Sequence, residues 1–230
     1  LEALVELYWN SWLARFGCWF LKSLSDRLMK SAQTVVTMDV ESLEQARERG
    51  AKRVCQMGTP LSTPFIIQPH RPIQMNPPRV IFLGRLGAEK GVDQVLRAAA
   101  ELPEFQFRIG GDGPLKRKVQ REAERLENLL YLGWLHRDEV LQAMDDSDIL
   151  VLPSKLETFG TVALEALARR RFVLVSRGCG IAHWPDLAQG LFTIQVEEDI
   201  TAALRRIADM PDEARTQIAR RAWTAVEQFN

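Results

Sequence analysis

From residue 79 onward, short wholly apolar runs alternate with amphipathic stretches. Arg79-Val-Ile-Phe-Leu83 reads as a buried strand. Gly91 to Leu102 reads as a helix, because Val92, Val95, Leu96 and Ala99 fall on one helical face. The alternation continues with a strand at Phe105–Ile109, a helix at Leu115–Leu126, a strand at Leu129–Leu132 and a helix at Asp138–Met144. Strands at Ile149–Leu152, Phe172–Val175 and Phe192–Gln195 follow, with a helix at Phe159–Arg169 between the first two. Amphipathic helices at Asp199–Ala208 and Asp212–Phe229 close the pattern, and Pro211 reads as the first helical position of the second. Wholly apolar strands separated by helices predict an α/β fold, with a parallel, doubly wound, Rossmann-like sheet covered by helices on both faces.

Residues 1–77 do not share this rhythm. Leu4–Met29 reads as a helix, Thr34–Thr37 as a strand, Glu41–Arg49 as a helix and Arg53–Met57 as a strand. Two strands and two helices are too few for a second Rossmann-type domain. Pro60–Pro78 is aperiodic and holds more than half of the chain's prolines, so it reads as a linker. The chain thus parses into residues 1–60, a linker at 61–78 and a Rossmann-like α/β domain at 79–230.

Composition narrows the chemistry. Thirty Lys and Arg offset thirty Asp and Glu over 230 residues, so no general electrostatic footprint for nucleic acid exists. An anionic ligand must be held by a local cluster. Cys18, Cys55 and Cys179 are odd in number and widely spaced, which argues against disulfides and a structural zinc site and suits a reducing, cytoplasmic compartment. His70, His136 and His183 have no metal-ligand spacing, so no metal site and no cofactor are expected. No apolar run is long enough to cross a membrane. The chain opens on Leu without a signal-peptide pattern, and more sequence upstream is expected.

In an open parallel sheet, ligands bind beyond the carboxyl ends of the strands. Four such ends carry unusual loops: Gly84-Arg-Leu-Gly-Ala-Glu-Lys-Gly91, Gly110-Gly-Asp-Gly-Pro114, Pro153-Ser-Lys-Leu-Glu-Thr-Phe-Gly160 and Ser176-Arg-Gly-Cys-Gly180. In the first, glycines permit close backbone approach, while the Arg85 fork and the Lys90 point charge suit a diphosphate. The alternative is a solvated loop, although a lysine at a helix start is mildly unfavourable without an anion. In the third, the Gly160, Thr161 and Val162 amides open a helix and can bind phosphate. Glu157 and Glu165, with seven residues between them, would repel that phosphate unless they accept bonds from neutral hydroxyls, such as those of ribose and sugars. Taken alone, the pair also reads as a helix-start acid and a solvated helix residue. Gly110–Pro114 and Gly178–Gly180 are weak signals alone, and Cys179 has no evident base partner.

These blocks, in this order, resemble the C-terminal domain of family four glycosyltransferases, which have the GT-B fold. The resemblance runs from Arg79 to Gly180 through Gly84–Gly91, Gly111-Asp-Gly-Pro114, Gly133, Asp148–Ser154, Glu157-Thr-Phe-Gly160, Glu165-Ala166 and Gly178–Gly180. It implies a retaining, metal-independent transferase whose Arg85 and Lys90 hold the donor diphosphate and help it leave. It places Glu165 on the ribose hydroxyls and Glu157 on the donor sugar. Gly84, Gly111, Gly113 and the backbone of Thr158, Phe159, Gly160 and Thr161 complete the donor site. The implied partners are a nucleotide-diphosphate sugar and a glycan, lipid or small-molecule acceptor. Residues 31–60 resemble the end of the family's acceptor-side N-terminal domain, most of which is then absent, so a donor-binding fragment or degenerate homologue without turnover is the alternative. An epimerase or phosphorylase of related fold fits the Glu157/Glu165 spacing less well.

Three departures stand out. The family pattern expects Gly and Pro where this chain has Arg170 and Phe172, and a glutamate where it has His183, which puts the shape of that side of the pocket in question. The run Arg169-Arg-Arg171 reads as a solvated helix end. At the other end of the chain, Tyr8, Trp9, Trp12, Phe16, Trp19 and Phe20 interleave with Arg15 and Lys22. Such a helix either packs on the body of its own domain or lies in a membrane interface at the inner face of the membrane.

Overall fold

The structure, a computed structural model, describes residues 12–38, 40–58, 60–61, 71–195 and 198–229, with the backbone alone for residues 12–18, 40, 41 and 56. It divides into two units, Leu1–Met57 and Gly58–Asn230.

In the first unit, α1 (Trp12–Ser31), β1 (Val35–Thr37), α2 (Val40–Glu48) and β2 (Val54–Gln56) follow in order. β1 and β2 pair in parallel, with Val35 opposite Val54. Tyr8 and Trp9 of the expected aromatic face lie outside the described residues. Trp19 and Phe20 are exposed, as are Leu24 and Leu28. Among the described residues no helix is long and apolar enough to cross a membrane.

The second unit is the expected α/β layer structure. β3 (Arg79–Leu83), α3 (Val92–Glu101), β4 (Gln106–Gly110), α4 (Lys116–Arg125), β5 (Leu129–Gly133) and α5 (Arg137–Asp145) come first. β6 (Ile149–Leu152), α6 (Thr161–Ala168), β7 (Phe172–Val175), α7 (Pro185–Ala188), β8 (Phe192–Thr193), α8 (Ile200–Asp209) and α9 (Asp212–Ala225) follow. The six strands are all parallel, in the order β5-β4-β3-β6-β7-β8.

The apolar runs are buried on both faces, which is why they do not alternate. Val80, Phe82, Ile149, Val151, Phe172 and Leu174 face one core with α3 and α8. Ile81, Leu83, Leu150, Leu152, Val173 and Val175 face the other with α5 and α6. Local chemistry sets the ends: Asp199 caps α8 by accepting from the Ala202 amide at 2.8 Å. Pro211 is the cap before α9 rather than its first residue, and the last turn of the expected final helix tightens into a 3-10 turn at Val226–Phe229. β8 is shorter than the expected Phe192–Gln195 strand.

The reading of Arg169–Arg171 as a solvated helix end is wrong. Arg169 and Arg171 are each 1% exposed. Arg169 grips Asp145 with two bonds, at 2.9 and 2.6 Å. Among the described residues Arg171 bonds no carboxylate and instead donates to the carbonyls of Arg169, Ser147 and Arg71. Burial pulls its pKa down to about 10. Arg170 alone is exposed, and it ends α6 with φ at +55°. Its amide bonds Leu167 O and that of Arg171 bonds Ala166 O, the bonding of a left-handed helix stop. An arginine there bears the ~1 kcal/mol strain that glycine avoids.

Beside this pair, Arg79 holds the buried Asp148 through two bonds, at 2.9 and 2.8 Å. Burial opposes ionisation of Asp148, yet the Arg79 guanidinium and the Gln74 and Arg79 amides hold its carboxyl below the ordinary value. All of these groups sit where β3, β6 and β7 begin, at the pole opposite the four loops. Arg170 and Phe172 therefore do not shape the loop edge, contrary to the sequence expectation. Asp145→Asn removes the buried carboxylate that Arg169 grips through two bonds, and should cost about 3–5 kcal/mol in chemical denaturation.

Candidate functional site

The sheet order contains a reversal. After β3 the chain moves outward through β4 and β5, then returns to place β6 on the other side of β3. The crevice at such a switch point is where open parallel sheets bind ligands. The loop after β3 carries Arg85 and Lys90, and the loop after β6 carries Glu157. Across that crevice the Lys90 ammonium lies 2.5 Å from a Glu157 carboxylate oxygen, and both side chains are about one-fifth exposed, at 21% and 20%. The anion that Lys90 requires at its helix start is, in the free protein, Glu157.

Backbone contacts tie the loops to each other. Leu86 N donates to Asp112 O at 2.9 Å, and Lys155 N to Glu89 O at 2.8 Å. Glu157 N donates to Gly178 O at 3.0 Å, and Gly180 N returns a bond to Glu157 O at 2.8 Å. The glycines permit this packing. A Cβ on Gly111, whose φ is +137°, would stand 1.9 Å from Gly84 O, and one on Gly180 would stand 1.9 Å from Thr158 O. Neither position admits a larger residue without parting the loops.

The remaining expected residues fall as follows. Gly84 and Gly113 lie in the first two loops, and a Cβ on Gly113 would meet Leu86 O at 2.7 Å. Arg85 is 66% exposed and reaches Glu89 at 3.6 Å. Thr158 is exposed, whereas the Phe159 side chain is buried in the core, so only backbone of Phe159 is available at the loop. Gly160 adopts φ +96°, which stops α6 from extending back to Phe159; α6 therefore begins at Thr161, and Glu165 sits one turn into it. Cys179 is fully buried, and burial, followed by the Glu157 charge, pushes its thiol up to about 12, which rules it out as a nucleophile at neutral pH. His183 bonds the Arg177 carbonyl at 2.8 Å. Among the described residues no three His, Cys, Asp or Glu side chains gather as a metal site.

Sequence reasoning missed Arg137. It stands at the start of α5 and reaches Glu165 at 3.4 Å, joining two segments far apart in the chain. The Glu165 side chain is only 12% exposed. Burial raises its pKa, and Arg137 partly opposes the rise. The site therefore presents a cation and a carboxylate already matched at the crevice, backbone amides at the start of α6, and a second, poorly solvated carboxylate.

A Rossmann-like α/β unit with a switch-point crevice is the class this sheet and loop edge define. The chain belongs to the glycosyl transferases group 1 family, whose model matches residues 66–223. It is 36% identical over 110 residues to the sulfoquinovosyl transferase of Arabidopsis thaliana, covering 48% of this chain and 21% of that protein. It is 31% identical over 147 residues to the GDP-mannose-dependent alpha-(1-6)-phosphatidylinositol dimannoside mannosyltransferase of Mycobacterium tuberculosis, covering 62% and 38%. The chain thus spans well under half the length of these relatives. The crystal structure of Anabaena HepE in complex with UDP and glucose has the same fold, with a TM-score of 0.69 and 18% identity over 90% of this chain and 62% of that one. The fold is that of the GT-B C-terminal domain.

Because the folded protein favours protonated Glu165, its contribution to stability is present below the ordinary glutamate pKa and lost as pH rises through the raised one. Glu165→Gln should therefore raise the Tm of the free protein at pH 7, with the gain shrinking as pH falls through the raised value and gone once it is below the ordinary glutamate value. Melts across a pH series check this; a gain independent of pH would contradict it.

Proposed function

We propose that this chain is the donor-binding half of a glycosyltransferase that moves a sugar from a nucleotide diphosphate to an acceptor, with retention and without a metal. The observation that carries this reading is the Lys90–Glu157 pair at the switch point, 2.5 Å apart in the free protein. A nucleotide sugar exchanges that pair for two better-matched ones. Its diphosphate takes Lys90, while Glu157 turns to a donor-sugar hydroxyl. Arg85, exposed on the same loop, adds a directional fork to the diphosphate. Gly84, Gly111 and Gly113 keep the backbone low enough for that approach. The Gly160 and Thr161 amides meet the phosphates and sugar at the start of α6, and Glu165 accepts from the ribose hydroxyls. As the bond from sugar to diphosphate breaks, charge grows on the departing oxygens, and Arg85 and Lys90 stabilise it in the role a metal plays elsewhere.

The acceptor is a glycan, lipid or small molecule. One relative is named for its action on phosphatidylinositol dimannoside, which supports a lipid-linked acceptor. The exposed Trp19, Phe20, Leu24 and Leu28 of α1, beside Lys22, Arg27 and Lys30, support peripheral contact with the inner face of a cytoplasmic membrane. Because the chain spans so little of its relatives, donor binding without turnover is the second reading; a longer chain that transfers sugar from the same donor would replace it.

Calorimetry with UDP, GDP and ADP tests the assignment. Lys90→Ala and Arg85→Ala should each weaken binding of the preferred diphosphate about 10- to 100-fold. EDTA should leave the unsubstituted protein's affinity unchanged. Affinity insensitive to both substitutions would remove the diphosphate from this loop, and affinity abolished by EDTA would remove metal independence.

A further inference from the structure

The Glu157–Gly160 loop is held on one side by backbone bonds to the glycine loop after β7. On its other side the Phe159 ring enters the apolar core. Phe159 turns away from the crevice and packs edge-on against Trp184, at a centroid distance of 5.4 Å, and tilted against Phe229, at 6.2 Å. Trp184 and Phe229 close the triangle at 5.5 Å. Trp184 precedes α7, and Phe229 belongs to the 3-10 turn after α9. Neither is near the loop in sequence.

Phe229 has a second set of partners. Its carbonyl accepts from the Leu61 amide at 3.0 Å. Its ring also lies over Gly58, so tightly that a Cβ on that glycine would stand 2.4 Å from a ring carbon. Gly58 is the first residue of the second unit, two residues past β2. One side chain therefore joins three segments: the start of this unit, the turn after α9, and the loop that carries Glu157. The glycine at 58 is what lets the ring lie low enough to reach Phe159.

We propose that Phe229 is a positioning residue for the donor sugar, acting through Phe159 to fix the Glu157–Gly160 loop. This rests on the reading of Glu157 as the sugar-binding carboxylate. Removing the Phe229 ring takes away one face of the Phe159 packing, and Phe159 immediately precedes the left-handed Gly160 that sets the first amides of α6. Arg85 and Lys90 lie on the loop after β3, a different segment from the one that carries Phe159. Glu157 lies on the loop that Phe159 anchors, while the two cations that hold the diphosphate lie on another, so the effect falls on the sugar more than on the diphosphate.

Two variants approach Phe229 from opposite sides. Phe229→Leu shrinks the ring, and Gly58→Ala pushes it from beneath. Each is titrated by calorimetry with UDP and UDP-glucose, GDP and GDP-mannose, and ADP and ADP-glucose, alongside a melt to confirm folding. For the pair that binds the unsubstituted chain, the nucleotide sugar should lose about five- to tenfold more affinity than its parent diphosphate in both variants. Phe229→Tyr, which keeps the ring, should restore the ratio. Equal losses for sugar and diphosphate, or unchanged affinity for both in folded variants, would overturn the proposal while leaving the site intact. If no nucleotide binds the unsubstituted chain, the donor-site reading fails, and this proposal fails with it.

Discussion

β3 pairs with β6 in parallel, although the chain between them runs outward through two strands and two helices before it returns. The meeting of Lys90 with Glu157 follows from that adjacency. Two loops that leave neighbouring parallel strands must emerge at the same edge, and helices that depart from opposite faces leave a crevice between them. Lys90 comes to that crevice from one strand and Glu157 from the other. Their contact is an ion pair in a partly desolvated place, where each charge stabilises the other and neither is well served by water. A ligand that brings both an anion and hydroxyls can satisfy each of them separately.

The loop edge is built for close approach. Glycine at 111 lets one loop lie against Gly84, and glycine at 180 lets another lie against Thr158. The backbone groups are then spent on joining loops, so the polar chemistry toward a ligand falls to a few side chains and to the amides that open α6. A chain with no net charge thus still gathers cations at this edge, with Arg85 and Lys90 on the loop after β3.

At the opposite pole the same sheet is closed by buried arginines. Arg169 with Asp145 and Arg79 with Asp148 are matched, while Arg171 finds carbonyls instead of a carboxylate. These contacts hold the starts of β3, β6 and β7 to the end of the proline-rich stretch, through Gln74 and Arg71. The scaffold that sets the loop edge is thus anchored at its far end by polar groups, and along its length by two apolar cores.

Much of this was legible in the linear chain. Runs such as Ile149–Leu152 are apolar throughout because both faces are covered, and that pattern belongs to a parallel sheet whatever its partners are. The glycines, the Arg85/Lys90 loop and the paired glutamates were visible as types and spacings, because backbone freedom and charge are local properties. Pairings across the chain were not visible. A run of three arginines looks solvated until the fold brings Asp145, Ser147 and Arg71 around it, and a glutamate in a helix looks exposed until Arg137 and burial alter its proton affinity. Phe229 carries no motif at all. What the amino-acid order determined was the set of elements and the chemistry each loop could offer. Which charges meet, which are buried and which ring supports which loop were decided only in three dimensions, because those energies depend on desolvation and contact between segments that the chain itself keeps far apart.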